Sequence, residues 1–244
     1  LVSERGLQNS PVRKHVLHTL SGLARSALVF PECLELTGLG DNHALGRPYS
    51  EGLFSDVYSK EFRGQKVCIK VTRNVKSVEI KKILQVHAKE VILRAHIQHP
   101  NILPLYGVHL FKKEETPRVG IVSPWMDKNL LSYSRQFPDK SISLMTDIIS
   151  GLVYLHNLDI VHGDLRAANI LVSEDGRAVL TNFEVSRVSM PDPTVSQASV
   201  GGIWWMAPEL LIGVEGPPVP MQTSDIWSYA CTCYEAMCHS IFKV

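Results

Sequence analysis

The chain of 244 residues has almost no charge imbalance: Lys and Arg number 25 against 24 Asp and Glu, a formal net charge of +1. So even a balance gives no electrostatic drive toward nucleic acid or an anionic membrane, and neither is expected as a partner. Long apolar runs are missing too. The short ones are interrupted by polar residues, so no membrane-spanning helix is expected, and no signal peptide is visible. Cysteine is scarce and odd in number: Cys33, Cys68, Cys231, Cys233 and Cys238, with no zinc-ligand spacing beside paired histidines. A reducing, cytoplasmic setting is the simplest reading. Internal repeats and low-complexity tracts are absent. The chain starts at Leu1 rather than Met, as a fragment would. What is present is a 45% hydrophobic content, enough for one large domain or two small lobes.

Residues 10–28 are expected to be helical, with Ser10 as cap, Pro11 in the first turn, and Val12, Val16, Leu20 and Leu23 as the stripe that packs on a neighbouring lobe. Pro31 and a glycine-rich stretch over 38–46 break that pattern. Residues 47–72 alternate like strands around a turn at Phe62-Arg63-Gly64-Gln65. In the second strand Val67, Ile69 and Val71 face one side, Cys68 and Lys70 the other. A helix is expected over 75–97, ended by Pro100, then strands near 103–110 and 118–123. Helices follow at 141–157 and 223–238. A β-rich first part and a helical second part predict two unequal lobes.

The most specific signal is His162-Gly163-Asp164-Leu165-Arg166-Ala167-Ala168-Asn169-Ile170, followed twelve residues later by Asn182-Phe183-Glu184. The first stretch resembles the H-x-D-x-x-x-x-N catalytic loop of protein kinases, and the second stands where that family keeps Asp-Phe-Gly. Other segments agree. Val67-Cys68-Ile69-Lys70 is similar to the V-A-I-K strand, and Glu90 precedes His99-Pro100-Asn101 by the spacing of the helix glutamate that pairs with that lysine. Trp205-Met206-Ala207-Pro208-Glu209 resembles the end of the activation segment. Ser224-Asp225-Ile226-Trp227-Ser228 resembles the start of a large buried helix, where Asp225 would receive catalytic-loop N–H groups. The resemblance runs from 47 to 244 and is nearest the tyrosine-kinase-like group. It implies an α+β, two-lobed kinase-like fold with a β-rich small lobe and a helical large lobe, C-terminally truncated. The divisions are a helical extension at 1–46, small lobe and hinge at 47–126, and an incomplete large lobe at 127–244.

The resemblance also assigns roles. Lys70 would bind the α- and β-phosphates of ATP, held by Glu90, and Asp164 would accept the substrate hydroxyl proton while Arg166 reaches the γ-phosphate. Gly52 and Val57, in a glycine-rich loop otherwise degraded to Ser50 and Ser55, join Cys68, Ser123, Trp125, Met126 and Leu171 as nucleotide contacts. Ser123 is a small gatekeeper that leaves room behind the adenine, and the backbone near Trp125 and Met126 would bond its edge. Asn169 and Asn182 would face Mg²⁺ or Mn²⁺.

Several positions depart from the family. Asn182 replaces the metal-binding Asp, leaving two neutral metal contacts. Glu184 replaces a glycine and costs backbone freedom; on an extended segment it shares a side with Asn182 and could add a metal carboxylate. Gly163 replaces an arginine that reads activation-loop phosphorylation, and Gly202 a threonine that ties the substrate loop to Asp164. Arg94 occupies a normally apolar spine position, where a charge does not bury cheaply. These departures point to an ATP-site protein with impaired phosphotransfer, weakly dependent on metal, serving as a scaffold or allosteric partner in signalling. The competing readings are an active Ser/Thr or Tyr kinase acting on protein hydroxyls, and a degenerate product without stable function.

Overall fold

The computed structural model describes residues 11–28, 30–40, 45–52, 55–72, 77–111, 118–188, 200–212 and 219–238. The Ser10 cap and part of the 38–46 stretch lie outside them. The chain divides into two compact units. One comprises Thr19–Gln98 with Leu103–Trp125; the other comprises Leu1–His18, His99–Ile102 and Met126–Val244.

The first unit is built on an antiparallel sheet: β1 (Ser50–Glu51), β2 (Ser55–Phe62), β3 (Gln65–Thr72), β4 (Gly107–Phe111) and β5 (Arg118–Pro124), in the order β1-β2-β3-β5-β4. Arg63 and Gly64, both at positive φ, make the two-residue turn between β2 and β3. Such a turn matches the twist of the strands it joins. Alternation in β3 is as the sequence predicts. Val67, Ile69 and Val71 are buried with Tyr58, Phe111, Val122, Leu39 and Leu45 on one face. On the other, Leu84 and Val91 of helix α2 (Ser77–Ala95) close over Val108, Val119 and Ile121.

Two boundaries differ from expectation. Helix α2 ends at Ala95, where the His96 N–H turns back to the Leu93 carbonyl and its ring caps the Ile92 carbonyl. Strand β4 starts at Gly107, not 103, because Pro104 has no N–H and Arg94 takes the carbonyls of Leu103 and Pro104.

Helix α1 (Pro11–Ala27) forms, but its buried stripe is not the expected one. Val12, Val16 and Leu23 are exposed, whereas Leu17, Ser21 and Ala24 are buried. Leu20 and Ala24 pack with Phe30 against Ala88 and Ile92 of α2. The helical repeat allows stripes one residue apart, and the apolar count at 12, 16 and 23 favoured the wrong one. Past the helix, Leu36 donates to the Val108 carbonyl and Leu39 is fully buried, so residues 34–39 are part of the sheet unit's packing.

The second unit is mostly helical. Helix α3 (Leu130–Gln136) starts at a capping box in which Asn129 accepts from the Ser132 N–H. Helix α4 (Ser141–Asn157) buries Leu144, Ile148, Leu152 and Leu155 along one face, and α6 (Gln222–Cys238) lies among the catalytic-loop residues described below. Short strands β6 (Lys128–Asn129), β7 (Ile160–Val161), β8 (Ile170–Val172), β9 (Ala178–Leu180) and β10 (Arg187–Val188) pair as β6-β8-β9 and β10-β7; a last short helix, α5, spans Pro208–Leu211. Among the described residues no helix is long and apolar enough to cross a membrane. None of the five cysteines forms a disulfide.

Candidate active site

In the sheet unit, pairing of β3 with β5 sets Cys68 opposite Ser123 and Lys70 opposite Ile121. These side chains share the face toward α2. Lys70 Nζ lies 3.8 Å from Glu90 Oε2, as the sequence predicts, and Glu90 is 1% exposed. Burial pushes the Glu90 carboxyl up, but Lys70 and Arg94 more than offset it and hold it below the ordinary range. Burial likewise pushes the Cys68 thiol up against the pull of both cations, which keeps it a neutral thiol.

Arg94 is the correction in this unit. It is buried, contrary to the rule that a charge avoids such a position, with both terminal nitrogens engaged and only Nε left without a hydrogen-bond partner. Nη1 donates to Glu90 Oε1 at 3.2 Å, and Nη2 faces Ser123 Oγ at 2.6 Å and the Pro104 carbonyl at 3.0 Å. The space expected behind a small Ser123 is therefore taken by this guanidinium. Trp125 also differs from expectation. Its N–H donates to the Lys66 carbonyl at 3.2 Å, which removes that group from those able to bond a ligand, while its ring meets Tyr49 edge-on and Lys66 Nζ.

Gly52 donates to the Ser55 carbonyl, and a Cβ there would meet that oxygen at 2.7 Å, so the surviving glycine of the loop is required by close backbone approach. Val57 is half-buried on β2 opposite Lys70.

In the helical unit the catalytic-loop residues come together around Asp164. Asn169 Nδ2 donates to the Asp164 carbonyl and to Oδ2, both at 2.7 Å; Asn182 Nδ2 donates to the same Oδ2 at 3.2 Å and to Asn169 Oδ1 at 3.4 Å. Arg166 Nε stands 3.4 Å from the other oxygen, Oδ1. A Cβ on Gly202 would lie 3.1 Å from that same Oδ1. Asn182 has φ +62°, a conformation asparagine tolerates better than most residues. Glu184 is half-buried and not among the positive-φ residues, so its side chain adds no backbone strain in this conformation. Met126 and Leu171 are half-buried, Leu171 paired with Val179 in the small sheet.

The loop is held from beneath. His162 and Gly163 donate their N–H groups to the two oxygens of Asp225, at 2.8 and 2.9 Å, and His156 Nε2 shares the first of them. The His162 ring accepts from the Asp164 N–H and donates to the Thr181 carbonyl, which sets its tautomer, while Phe183 packs on it with ring centroids 5.3 Å apart. Gly163 sits at φ +79°, so a glycine in place of arginine also relaxes the turn before Asp164.

A family model described as protein kinase domain matches residues 44–243. The chain belongs to the protein kinase family. It is 32% identical over 206 residues to cell division control protein 7 of Schizosaccharomyces pombe, covering 79% of this chain and 18% of that one. It is 30% identical over 194 residues to mitogen-activated protein kinase kinase kinase 3 of Arabidopsis thaliana, 78% and 31%. With serine/threonine-protein kinase 4 homolog A of Dictyostelium discoideum it shares 28% over 193 residues, 76% and 40%. The kinase domain thus spans well under half the length of each of these relatives. Kinase domains bind a nucleotide and a protein substrate, and use ATP with a divalent metal ion.

The donor set around Asp164 suits such an ion only in part. Asn169 and Asn182 would hold it through amide oxygens, which hard cations accept, but they bring no charge. When bound, the ion would neutralise charge on the phosphates. Among the described residues no group of three or more His, Cys, Asp or Glu side chains comes together.

One constellation of the kinase domain escaped the sequence reading. Glu235, on α6, accepts from the Ala167 N–H at 3.1 Å and from Trp205 Nε1 at 3.0 Å, while Arg166 lies over the Trp205 ring. Burial pushes its carboxyl up, opposed by those donors and by Arg166. The signal was legible: Asp225, Ser228, Thr232 and Glu235 recur at helical spacing and form a polar stripe within an apolar helix.

Proposed function

We propose that this kinase domain binds an adenine nucleotide with weak dependence on metal and transfers phosphate poorly, acting as a pseudokinase-like scaffold or allosteric partner. The observation that carries the reading is the Asn182 amide donating 3.2 Å to Asp164 Oδ2. Where the family has a metal-binding carboxylate, this chain has a neutral amide that donates to Asp164 directly. Removing one positioned electrostatic group typically costs ~10²–10³ in rate, and a metal carboxylate belongs to that class. Lys70 and Glu90 remain paired, which supports retained affinity for phosphates.

In this reading Lys70 anchors the phosphates, and Gly52, Val57, Cys68 and Ser123 of the sheet unit are nucleotide contacts; for Met126 and Leu171 that role rests on the family resemblance alone. Asp164 orients a hydroxyl, and Arg166, beside Oδ1, steers charge near it. Glu184 is a solvated charge in this reading, with an auxiliary metal carboxylate as its alternative role. The sequence motifs support a place in the tyrosine-kinase-like group, and the cysteine usage supports a cytoplasmic setting.

The second reading, an active protein kinase, is favoured by Asp164 and Arg166 standing as a pair and by relatives named as kinases. One of the three named above is a serine/threonine-protein kinase by name, which favours an aliphatic hydroxyl as acceptor. Thermal shift with ATP, with and without Mg²⁺ or Mn²⁺, followed by radiolabelled phosphate transfer, separates the two. A melting rise without metal and little transfer supports the first reading; strong transfer abolished by Asp164→Ala replaces it with the second.

A further inference from the structure

Ser123 is small, and in the gatekeeper place that the kinase resemblance assigns to it a small residue leaves a passage beside it. Here the passage is filled from within the unit. Arg94 is 5% and Ser123 3% exposed, and Nη2 lies 2.6 Å from the serine oxygen. The guanidinium is held on three sides, by Glu90 from its own helix, by the Leu103 and Pro104 carbonyls, and by Ser123 from the sheet. A planar fork with five donors fits such an arrangement, and an ammonium would not. Swinging it out would leave Glu90 short of a buried partner and strand two carbonyls and a hydroxyl, which is costly for groups shielded from water.

We propose that Arg94 determines which ligands this unit accepts past Ser123: it is a fixed polar plug, so the protein takes an adenine with a bare exocyclic amine and rejects one extended there by a bulky apolar group. The proposal rests on the nucleotide reading above, in which the adenine edge meets β5 at Ser123. Serine alone would admit the extended ligand. Arg94 is therefore a specificity residue that acts through space-filling and does not itself touch the unsubstituted base.

The test compares ADP with N6-benzyl-ADP by calorimetry on the full chain, for the parent, Arg94→Met and Arg94→Lys. Methionine is flexible and apolar and can yield to an aromatic ring. The parent is expected to bind ADP and to bind the benzyl analogue at least ~10-fold more weakly, the scale at which a pocket discriminates a misfit apolar group. In Arg94→Met the ratio of the two affinities should fall toward unity. Arg94→Lys, which keeps a charge for Glu90 with a shorter single head, should fall between. The ratio is the readout, since general loosening weakens both ligands together. Equal binding of both ligands by the parent overturns the proposal, even if neither variant folds. So does a ratio that the variants leave unchanged. If the parent binds ADP in neither presence nor absence of Mg²⁺, the nucleotide reading fails and this one with it.

Discussion

Replacing Asn182 with aspartate is the sharpest perturbation of the site. The exchange removes an amide donor and sets a second carboxylate 3.2 Å from Asp164 Oδ2, in place of a hydrogen bond. Asp164 has a side chain only 8% exposed, so water screens the pair poorly. Two unit charges at that separation repel by roughly 5 kcal/mol at an effective dielectric of about 20, before any side chain moves. If relaxation leaves even a third of that, the melting temperature falls by roughly 3–7 °C for a domain of this size. Metal should reverse the sign. With Mg²⁺ and ADP present, the new carboxylate brackets a dication that the parent holds only through amide oxygens. Asn182→Asp should therefore melt below the parent in chelator and gain more from Mg²⁺ with ADP than the parent gains. Phosphate transfer should rise in the same variant, and further with Glu184→Gly. Identical melting of the two proteins in chelator would show that Asn182 does not face Asp164, and the account of the site would fall with it.

Other outcomes follow from the same geometry. Lys70→Met should remove the nucleotide-induced rise in melting temperature; a variant that keeps the full rise would place the phosphates elsewhere. Leu17→Asp should destabilise the fold by at least ~1.5–3 kcal/mol, the contribution of a buried leucine, whereas Val16→Asp on the exposed face of α1 should stay within about 0.5 kcal/mol. Equal effects in chemical denaturation would mean the helix is not oriented as described. If Glu184 fills its alternative role at the metal, Glu184→Gln should weaken metal-dependent nucleotide binding and spare metal-free binding; unchanged metal dependence removes Glu184 from the metal set. Glu235 has a folded-state pKa raised by burial, so its charged form costs stability that protonation restores. Relative to Glu235→Gln, the parent should lose stability as pH rises from the ordinary glutamate range through that raised value, measured as the difference in melting temperature across pH. A constant difference would show that the carboxyl is not buried.

Much of this was legible because it is periodic or local. Alternation in β3 has a period of two and one register, so the faces of Val67 and Lys70 follow from the letters alone. The nine-residue loop around Asp164 carries its geometry in its own spacing, and the kinase resemblance assigns Asp225 as its support, which the structure bears out. Helix α1 shows the limit. A period of 3.6 lets two neighbouring stripes score alike, and the choice between Val16 and Leu17 depends on what the helix meets.

Arg94 shows a deeper limit. From the sequence it is a charge in an apolar position and reads as a defect. The cost of burying it depends on acceptors supplied by Glu90 on the same helix, the backbone at 103–104 and Ser123 on β5, and these are brought together only by the fold. Asn182 is the parallel case in the helical unit. It reads as a lost ligand until its amide is seen donating to Asp164. In both places a departure from the family is answered by a hydrogen bond that departure makes possible: Arg94 to Ser123, Asn182 to Asp164. The match is partial: Arg94 Nε and Glu90 Oε2 stay buried without a hydrogen-bond partner, and unmatched buried polar groups cost a core stability. Each departure is thus partly offset by a partner that only the fold supplies, which lowers its cost without removing it.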